Sequence, residues 1–587
     1  MEEDLCDLED LIQGNELADE YTQNVRLKPN TIKKRPKKQL KQSEQKQDTL
    51  EHTADDSEIK FNQSTNTQQN TIIPGIQNVY VKTFGCSHNI SDSEFMMGQL
   101  AEYGYNLVEN EKEADIILVN SCTVKNPSQD AFMTVVKSAK QQNKHIVVAG
   151  CVPQGDRNIP GLEDVSVIGI SQIDRVVEVI EETLKGNTVR LLGKKALPSL
   201  DLPKIRKNNL IEIIPINTGC LGSCTYCKTK HARGKLGSYT LEAILARCEQ
   251  VCEEGVKEIW LTSEDTGAYG RDIGTDISEL LKHLVEKLPN DVMLRIGMTN
   301  PPYILEHMEN ISLILNHPRV FSFLHIPVQA GNNTVLENMN REYTREEFEY
   351  VCDYLKKNVP NVTLATDIIC GFPSETNAQF EETISLVKKY EFPIINISQF
   401  YPRPGTAAMK MKKVPSIDVK SRSKKITEVF ESFHRWDYLV GSIQKVWIND
   451  KEEKKGRQFQ LVGHTKQYAK VLLPYNEELL GQSVLFKVEK ALMWHIEGTI
   501  LEINPKDQVQ VGNDYFNKYV KIEKSKLEDK VKIIIQQQIQ EELELEQQNA
   551  TRSRQNNNNE KSFIKQYGVF IIAFYLILCG ILQMYFL

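Results

Sequence analysis

Several absences narrow the possibilities before any motif is read. Twelve cysteines over 587 residues are too thinly spread for the disulfide framework of a small secreted domain. The opening Met1-Glu-Glu-Asp-Leu-Cys6 is acidic and has no apolar run to serve as a signal peptide, so the thiols are expected in a reducing compartment. A basic balance is missing too. With 71 Lys and Arg against 79 Asp and Glu, the formal charge is -8, so any RNA contact has to come from a local patch. Residues 1–74 have scarcely any aromatics and are rich in Gln, Asn, Lys, Asp and Glu. Such a segment cannot bury enough apolar surface to offset the entropy of ordering, and it is predicted to be a disordered tail. Its basic run, Lys33-Lys-Arg-Pro-Lys-Lys38, reads as solvated charge, with a nuclear signal or an RNA contact as alternatives.

Long apolar runs are also scarce, with one exception. From Tyr567 to Leu587 the chain is almost wholly apolar and uncharged, with Lys561 and Lys565 just before it. A helix of about 20 such residues spans roughly 30 Å, the thickness of a bilayer core. The expectation is a transmembrane tail anchor over 567–587 with the bulk of the protein in the cytosol; a buried core helix is the alternative. A polar linker, 549–566, and a charged amphipathic helix or stalk, 523–548, are expected ahead of it.

What is present begins with Cys220-Leu-Gly-Ser-Cys224-Thr-Tyr-Cys227, a CxxxCxxC run closing the apolar segment Leu210 to Ile216. Three thiolates at this spacing can hold three corners of a 4Fe-4S cluster and leave the fourth iron open to a small molecule, for which S-adenosylmethionine is the obvious candidate. A structural zinc site completed by His231 is the bland alternative.

A second set of cysteines has a different logic. Val79 to Cys86, Asp115 to Cys122 and His145 to Cys151 are apolar strand candidates that each run into a cysteine, separated by helix-like segments Ser91 to Tyr103 and Ser128 to Gln142. Alternating strand and helix predicts a parallel α/β sheet, whose strand ends share one edge. Cys86, Cys122 and Cys151 should therefore converge and could hold a second three-cysteine cluster. From Leu210 the alternation resumes with six strand candidates, a partial (β/α)6 barrel with CxxxCxxC at the carboxyl end of its first strand, where barrel sites lie. Cys248, Cys252 and Cys352 read as packing residues. Residues 440–503 carry five short strand candidates, a small β-barrel that could bind RNA backbone through His464, Lys466 and Lys470.

With these units in this order the chain resembles the methylthiotransferase branch of radical S-adenosylmethionine enzymes, over about residues 77–503. Supporting words are Thr83-Phe-Gly-Cys86-Ser-His-Asn89, Asn120-Ser-Cys122, Leu324-His-Ile-Pro-Val-Gln-Ala-Gly331, Gly371-Phe-Pro-Ser-Glu-Thr376 and Phe400-Tyr-Pro-Arg-Pro-Gly-Thr406. The stretches Cys224 to Gly234 and Leu261 to Gly270 look like the threonylcarbamoyladenosine subgroup; Ser263 and Ala330 are small departures from its pattern. The resemblance implies an N-terminal methylthiotransferase domain at 75–190, a radical SAM barrel at 205–436 and a TRAM-like RNA-binding barrel at 437–503.

The implied reaction replaces the C2 hydrogen of N6-threonylcarbamoyladenosine, position 37 of tRNA beside the anticodon, with a methylthio group. Isopentenyladenosine or a ribosomal protein is the alternative substrate, and a membrane-tethered zinc RNA-binding protein the alternative class. That aromatic C–H is not acidic, so acid–base residues cannot activate it and radical chemistry can. The resemblance assigns 4Fe-4S clusters to both cysteine sets and S-adenosylmethionine as radical source and methyl donor, with Gly267, Gly270, Gly371 and Pro373 at the cofactor. Lys228, Lys230, His231 and Arg233 are candidates for substrate phosphate or carboxylate. An electron donor and a sulfur donor are implied as partners, and the endoplasmic reticulum as the membrane.

Overall fold

The computed structural model describes residues 57–60, 75–123, 126–454 and 458–505. The expected stalk 523–548, linker 549–566 and apolar segment 567–587 lie outside them. Among the described residues no helix is long and apolar enough to cross a membrane. The longest, Ser87–Tyr103, has 17 residues, spans only about 25 Å and buries Asp92 and Glu94. The expectation of a tail anchor in the endoplasmic reticulum membrane is corrected on that finding and is withdrawn.

The first unit is a seven-stranded sheet in the order β1-β7-β6-β5-β4-β2-β3. Its strands are β1 (Ser57–Lys60), β2 (Asn78–Thr83), β3 (Asn106–Val108), β4 (Ile116–Ser121), β5 (His145–Gly150), β6 (Ser166–Ile168) and β7 (Thr188–Leu191). All neighbours pair in parallel except β1, which runs antiparallel along β7 with Ser57 opposite Leu191. This edge strand corrects the expectation that all of 1–74 lacks order. An open sheet edge offers unpaired backbone groups, and hydrogen bonding to it needs no apolar side chains. The interior strand β4 is buried at every position, as a parallel strand covered on both faces must be.

The second unit carries six parallel strands in two halves. One is β12-β11-β8, with β8 (Ile211–Pro215), β11 (Glu258–Thr262) and β12 (Met293–Arg295). The other is β13-β14-β15, with β13 (Phe323–His325), β14 (Thr363–Cys370) and β15 (Ile394–Gln399). A parallel bridge between Leu294 and Val320 joins the halves, giving the partial barrel the alternation predicts. A short antiparallel pair, β9 (Asn217–Thr218) and β10 (Gly237–Ser238), closes the base of the cysteine loop. Thr344 with Glu347 and Thr376 with Gln379 form reciprocal caps that start two of the outer helices.

Helix Ser87–Tyr103 lies between the two units, and besides apolar Ile90, Phe95, Met96 and Leu100 it buries a run of polar residues in its first turns: Ser87, His88, Asn89, Ser91, Asp92, Ser93 and Glu94 are all inside. Each finds a partner across the junction or in its own sheet. Ser87 Oγ meets Thr262 Oγ1 at 3.0 Å and Ser91 Oγ donates to the Ile213 carbonyl at 3.1 Å. Further along, Lys204 Nζ sits between Glu94 (3.1 Å) and Glu212 (2.9 Å), and Arg247 reaches Glu212 at 3.1 Å.

The third unit is a closed barrel in the order β16-β17-β18-β20-β19, formed by β16 (Ile443–Lys454), β17 (Gln458–Thr465), β18 (Lys470–Pro474), β19 (Gln482–Ala491) and β20 (Ile496–Ile503). Trp447 and Tyr468 from it pack with Met293, Phe321, Phe323 and Ala365, at the amino ends of the parallel strands. The small barrel therefore sits at the opposite end of the second unit from the CxxxCxxC loop. Lys466 is spent in this seam, its Nζ donating to the carbonyls of Leu315 and Val320. His464 is buried and stacks on Tyr468 with centroids 4.2 Å apart, and Lys470 pairs with Glu452 at 2.5 Å. The expectation that these three grip RNA backbone is corrected: Lys466 and Lys470 are paired within the protein and His464 is buried.

Candidate metal centre

Three adjacent parallel strands deliver the first cysteine set. Cys122 and Cys151 directly follow β4 and β5, and Cys86 follows β2 and opens helix Ser87–Tyr103 as its N-cap. The turn before Cys86 is close-packed on Cys122: Gly85 has φ +98°, and a Cβ there would lie 2.5 Å from the Cys122 sulfur, so only glycine fits. Asn89 ties the strand ends together by donating to the carbonyls of Phe84 (3.0 Å) and Ser121 (2.9 Å), while its Oδ1 lies 3.6 Å from the Cys151 sulfur. Burial pushes the Cys151 thiol up to about 12, with Arg233 opposing and Cys122 adding to it.

The CxxxCxxC loop is braced from inside and outside. Lys230 Nζ donates to the carbonyls of Leu221 (2.9 Å) and Gly222 (3.0 Å) and to Ser223 Oγ (2.9 Å), wrapping the three-residue spacer around its own ammonium. Thr225 bonds through its backbone N–H to Met339 and through its carbonyl to Ala408. Gly222 faces two of the sulfurs, since a Cβ there would lie 3.6 Å from Cys220 Sγ and 3.9 Å from Cys224 Sγ; a side chain would intrude on the space they share. Burial raises the Cys220 thiol to about 12, and Asp265, Cys227 and Cys224 push the same way. Crowded thiols of this kind become thiolates when a bound cation supplies the counter-charge, so the donor set fits an iron cluster.

His231, the fourth ligand a Cys3His zinc site would need, is exposed.

The first cysteine set meets the short helix that follows the second. Ala232, five residues past Cys227, packs in one apolar cluster with Cys151 and Ile170. Its neighbour Arg233 is buried, with Nη2 donating to Asn89 Oδ1 (2.8 Å) and Asp92 Oδ2 (2.7 Å) and Nε 3.3 Å from Glu264. Glu264 lies 3.3 Å from His88 Nδ1 and accepts the Gly219 N–H at 2.9 Å. Burial pushes the Glu264 carboxyl up to about 7 against the pull of Arg233. His88 is held well below its usual value by burial and then by the Arg233 and Lys204 charges. The guanidinium is thus held between two backbone segments inside the protein and is not presented to a substrate phosphate or carboxylate.

The remaining expected site residues lie as follows. Gly267 and Gly270 are in the turn after β11, packed against Thr299 and Thr275. Gly371, at φ +76°, leaves β14 where a Cβ would strike Val419, and Pro373 is buried beside it. All four stand at the carboxyl ends of barrel strands, the rim that carries the cysteine loop. Lys228 Nζ donates to the Pro404 carbonyl at 2.8 Å.

Several residues escaped the sequence reading. Arg341 donates to the Cys224 sulfur (3.1 Å), to Asn300 Oδ1 (2.5 Å) and through Nε to the Tyr343 hydroxyl (3.0 Å). Asp265, raised to about 6 by burial, accepts from Asn300 Nδ2 (2.7 Å) and the Asn300 N–H (3.1 Å). Asn89 and Glu264 lie within matched words but have no spacing that marks a role. Asp92 had one available signal, a run of polar residues immediately after a candidate ligand where a helix should turn an apolar face inward.

Residues 78–165 match the family described as Uncharacterized protein family UPF0004, and residues 214–387 match the Radical SAM superfamily. Curated relatives extend over both. A threonylcarbamoyladenosine tRNA methylthiotransferase of Drosophila melanogaster is 55% identical over 440 residues, covering 74% of this chain and 79% of the relative. The Homo sapiens protein of the same name is 56% identical over 419 residues, 70% of this chain and 72% of its own. A probable threonylcarbamoyladenosine tRNA methylthiotransferase of Pyrococcus horikoshii is 34% identical over 431 residues, 72% of this chain and 99% of the relative.

Proposed function

Because the chain belongs to the threonylcarbamoyladenosine tRNA methylthiotransferases, we propose that its two cysteine triads hold the two 4Fe-4S clusters of a single active site. The enzyme is a radical SAM transferase that methylthiolates N6-threonylcarbamoyladenosine in tRNA, using S-adenosylmethionine and 4Fe-4S clusters; isopentenyladenosine and a ribosomal protein are not favoured as substrates. The observation that carries the proposal is the packing of Cys151 against Ala232, which sets the helix Thr229–Arg233, directly after the Cys220–Cys227 loop, against the edge that bears Cys86, Cys122 and Cys151.

When bound, the clusters and S-adenosylmethionine supply one-electron chemistry that reaches an unactivated adenine C–H, and a sulfur to place there. The chain's own residues do the holding. Cys220, Cys224 and Cys227 would carry one cluster and Cys86, Cys122 and Cys151 the other. Gly267, Gly270, Gly371 and Pro373 would lie along the S-adenosylmethionine side, supported by their place on the cluster rim. Exposed His231 and partly exposed Lys228 and Lys230 would face the anticodon loop. An electron donor and a sulfur donor are required by the stoichiometry and would act as partners.

The domain limits we propose are 75–190, 205–436 and 437–503, the last a TRAM-like module touching tRNA. Its contact would fall on the outer face where Lys451 Nζ lies 5.5 Å from the Phe459 ring centroid and 5.9 Å from that of Tyr475, a cation beside two exposed aromatics suited to stacking a base.

The test is direct. Full-length protein, reconstituted with iron and sulfide without oxygen, is incubated with S-adenosylmethionine, a reductant and tRNA carrying either N6-threonylcarbamoyladenosine or isopentenyladenosine. Mass spectrometry of the nucleosides should show the 2-methylthio derivative of the first alone. Modification of the second alone, or of neither, overturns the reading.

A further inference from the structure

Resting on that reading, we propose that Arg233, with Asn89, Asp92 and Glu264, is a positioning latch that fixes the register between the two cysteine loops. Arg233 ends the short helix Thr229–Arg233 that follows the Cys220–Cys227 loop. Its guanidinium crosses to the helix that follows Cys86, reaching Asn89 at 2.8 Å and Asp92 at 2.7 Å. Asn89 in turn holds the strand ends bearing Cys86 and Cys122 through the Phe84 and Ser121 carbonyls. Glu264 closes the circuit by touching Arg233 and His88 and by accepting the N–H of Gly219, the residue before Cys220. The side chains of Arg233, Asp92, Glu264 and His88 are 3%, 8%, 9% and 5% exposed, so the circuit is sealed inside the junction and touches both loops.

Two physical arguments separate a latch from ordinary glue. The junction already has another clamp, Glu94–Lys204–Glu212–Arg247, further along the same helix; the units stay docked when Arg233 is changed, and only the register near the cysteines loosens. Arginine is also the side chain whose rigid fork can serve two acceptors on one loop and a third on another, which an ammonium cannot reproduce. The reaction needs hydrogen removal and sulfur delivery at the same carbon. A misplacement of about 1 Å between two such centres costs roughly a hundredfold in rate, whereas generation of 5′-deoxyadenosine needs one centre alone.

The test uses the reconstituted full-length enzyme with tRNA carrying N6-threonylcarbamoyladenosine, comparing wild type with Arg233→Lys and Asp92→Asn. Iron content, 5′-deoxyadenosine, methylthio nucleoside and the EPR signature of magnetic interaction between the reduced clusters are read together. The expected result is about eight irons per chain in every protein and 5′-deoxyadenosine within about twofold of wild type. Methylthio nucleoside per 5′-deoxyadenosine should fall at least about tenfold, with an altered inter-cluster interaction. Asp92→Asn carries the test if Arg233→Lys does not fold. An unchanged product ratio with working wild type overturns the latch and leaves the function standing. Loss of iron in parallel with product also overturns it, because the residues then serve cluster assembly. A wild type that makes no methylthio nucleoside overturns the function itself and the latch with it.

Discussion

Arg341 places its Nη1 3.1 Å from the sulfur of Cys224 across 117 residues of sequence. The guanidinium is buried and also bonded to Asn300, Tyr343 and the Pro327 carbonyl, so its position is set by the barrel and not by the loop. A donor of positive charge on a cluster-ligand sulfur favours the reduced state.

Replacing Arg341 by Lys or Met should therefore lower the potential of the cluster proposed for that loop. If the hydrogen bond differs by about 1 kcal/mol between redox states, the shift is about 40 mV for one electron. Potentiometric EPR on the reconstituted variants measures it. A potential equal to wild type within a few millivolts would remove the role.

The docking of the small barrel predicts a dissociation between stability and RNA binding. Lys466→Met takes the lysine donor from the Val320 carbonyl and from the Leu315 carbonyl, which keeps Ser322 Oγ, and should lose on the order of 1 kcal/mol, read as a lower urea midpoint, while tRNA affinity stays near wild type. Phe459→Ala with Tyr475→Ala should do the reverse. Loss of one stacked base is worth about 1–3 kcal/mol, so a rise in Kd of about five- to 150-fold by filter binding is expected with an unchanged midpoint.

Two buried imidazoles set a pH window for stability. Burial, then the Lys470 and Arg295 charges, holds His464 at about 3, and burial with Arg319 and Lys466 holds His317 at about 4. Both are neutral in the fold, whereas in the unfolded chain they bind protons below about 6.5. Unfolding thus takes up protons across this interval, so their stabilising share is complete above about pH 6.5 and is lost as pH falls toward 4. His464→Phe, which keeps the stack on Tyr468, should flatten that dependence. Thermal unfolding at several pH values between about 7.5 and 5 tests it, and an identical slope in the variant would count against the assignment.

Glu212 predicts a second, more acidic window. Burial alone would raise its carboxyl, but Lys204, Arg247 and Arg206 outweigh that and hold it at about 2. Its contribution is present above about 4.5 and disappears as pH falls toward 2. Glu212→Gln leaves buried Arg247 facing a neutral amide, while Lys204 keeps Glu94 and Arg206 keeps Glu254, a change worth about 3 kcal/mol. Limited proteolysis should then cut the segment joining the first two units, around 195–207, much faster than in wild type.

Much of this protein is legible without coordinates. The ligand spacing of Cys220, Cys224 and Cys227 is a local pattern, and local patterns survive in sequence. The strand–helix alternation that brings Cys86, Cys122 and Cys151 to one edge follows from hydrophobic periodicity and the parallel rule. The six strand candidates after Leu210 appear as the parallel strands of the partial barrel, and all five strand candidates of 440–503 close into the small barrel.

Tertiary structure alone decided which polar residues face inward. The basic cluster after the third cysteine reads as a grip for substrate phosphate or carboxylate, yet Arg233 is sealed against Asp92 and Glu264 because the helix after Cys86 is trapped between a sheet and a barrel with polar residues of its first turns at the junction. His464, Lys466 and Lys470 read as an RNA grip, yet the small barrel meets the amino ends of the parallel strands through that same edge. Such pairings join residues more than a hundred positions apart, and no local period encodes them; desolvation at a contact between units determines whether a charge is exposed or must find a partner.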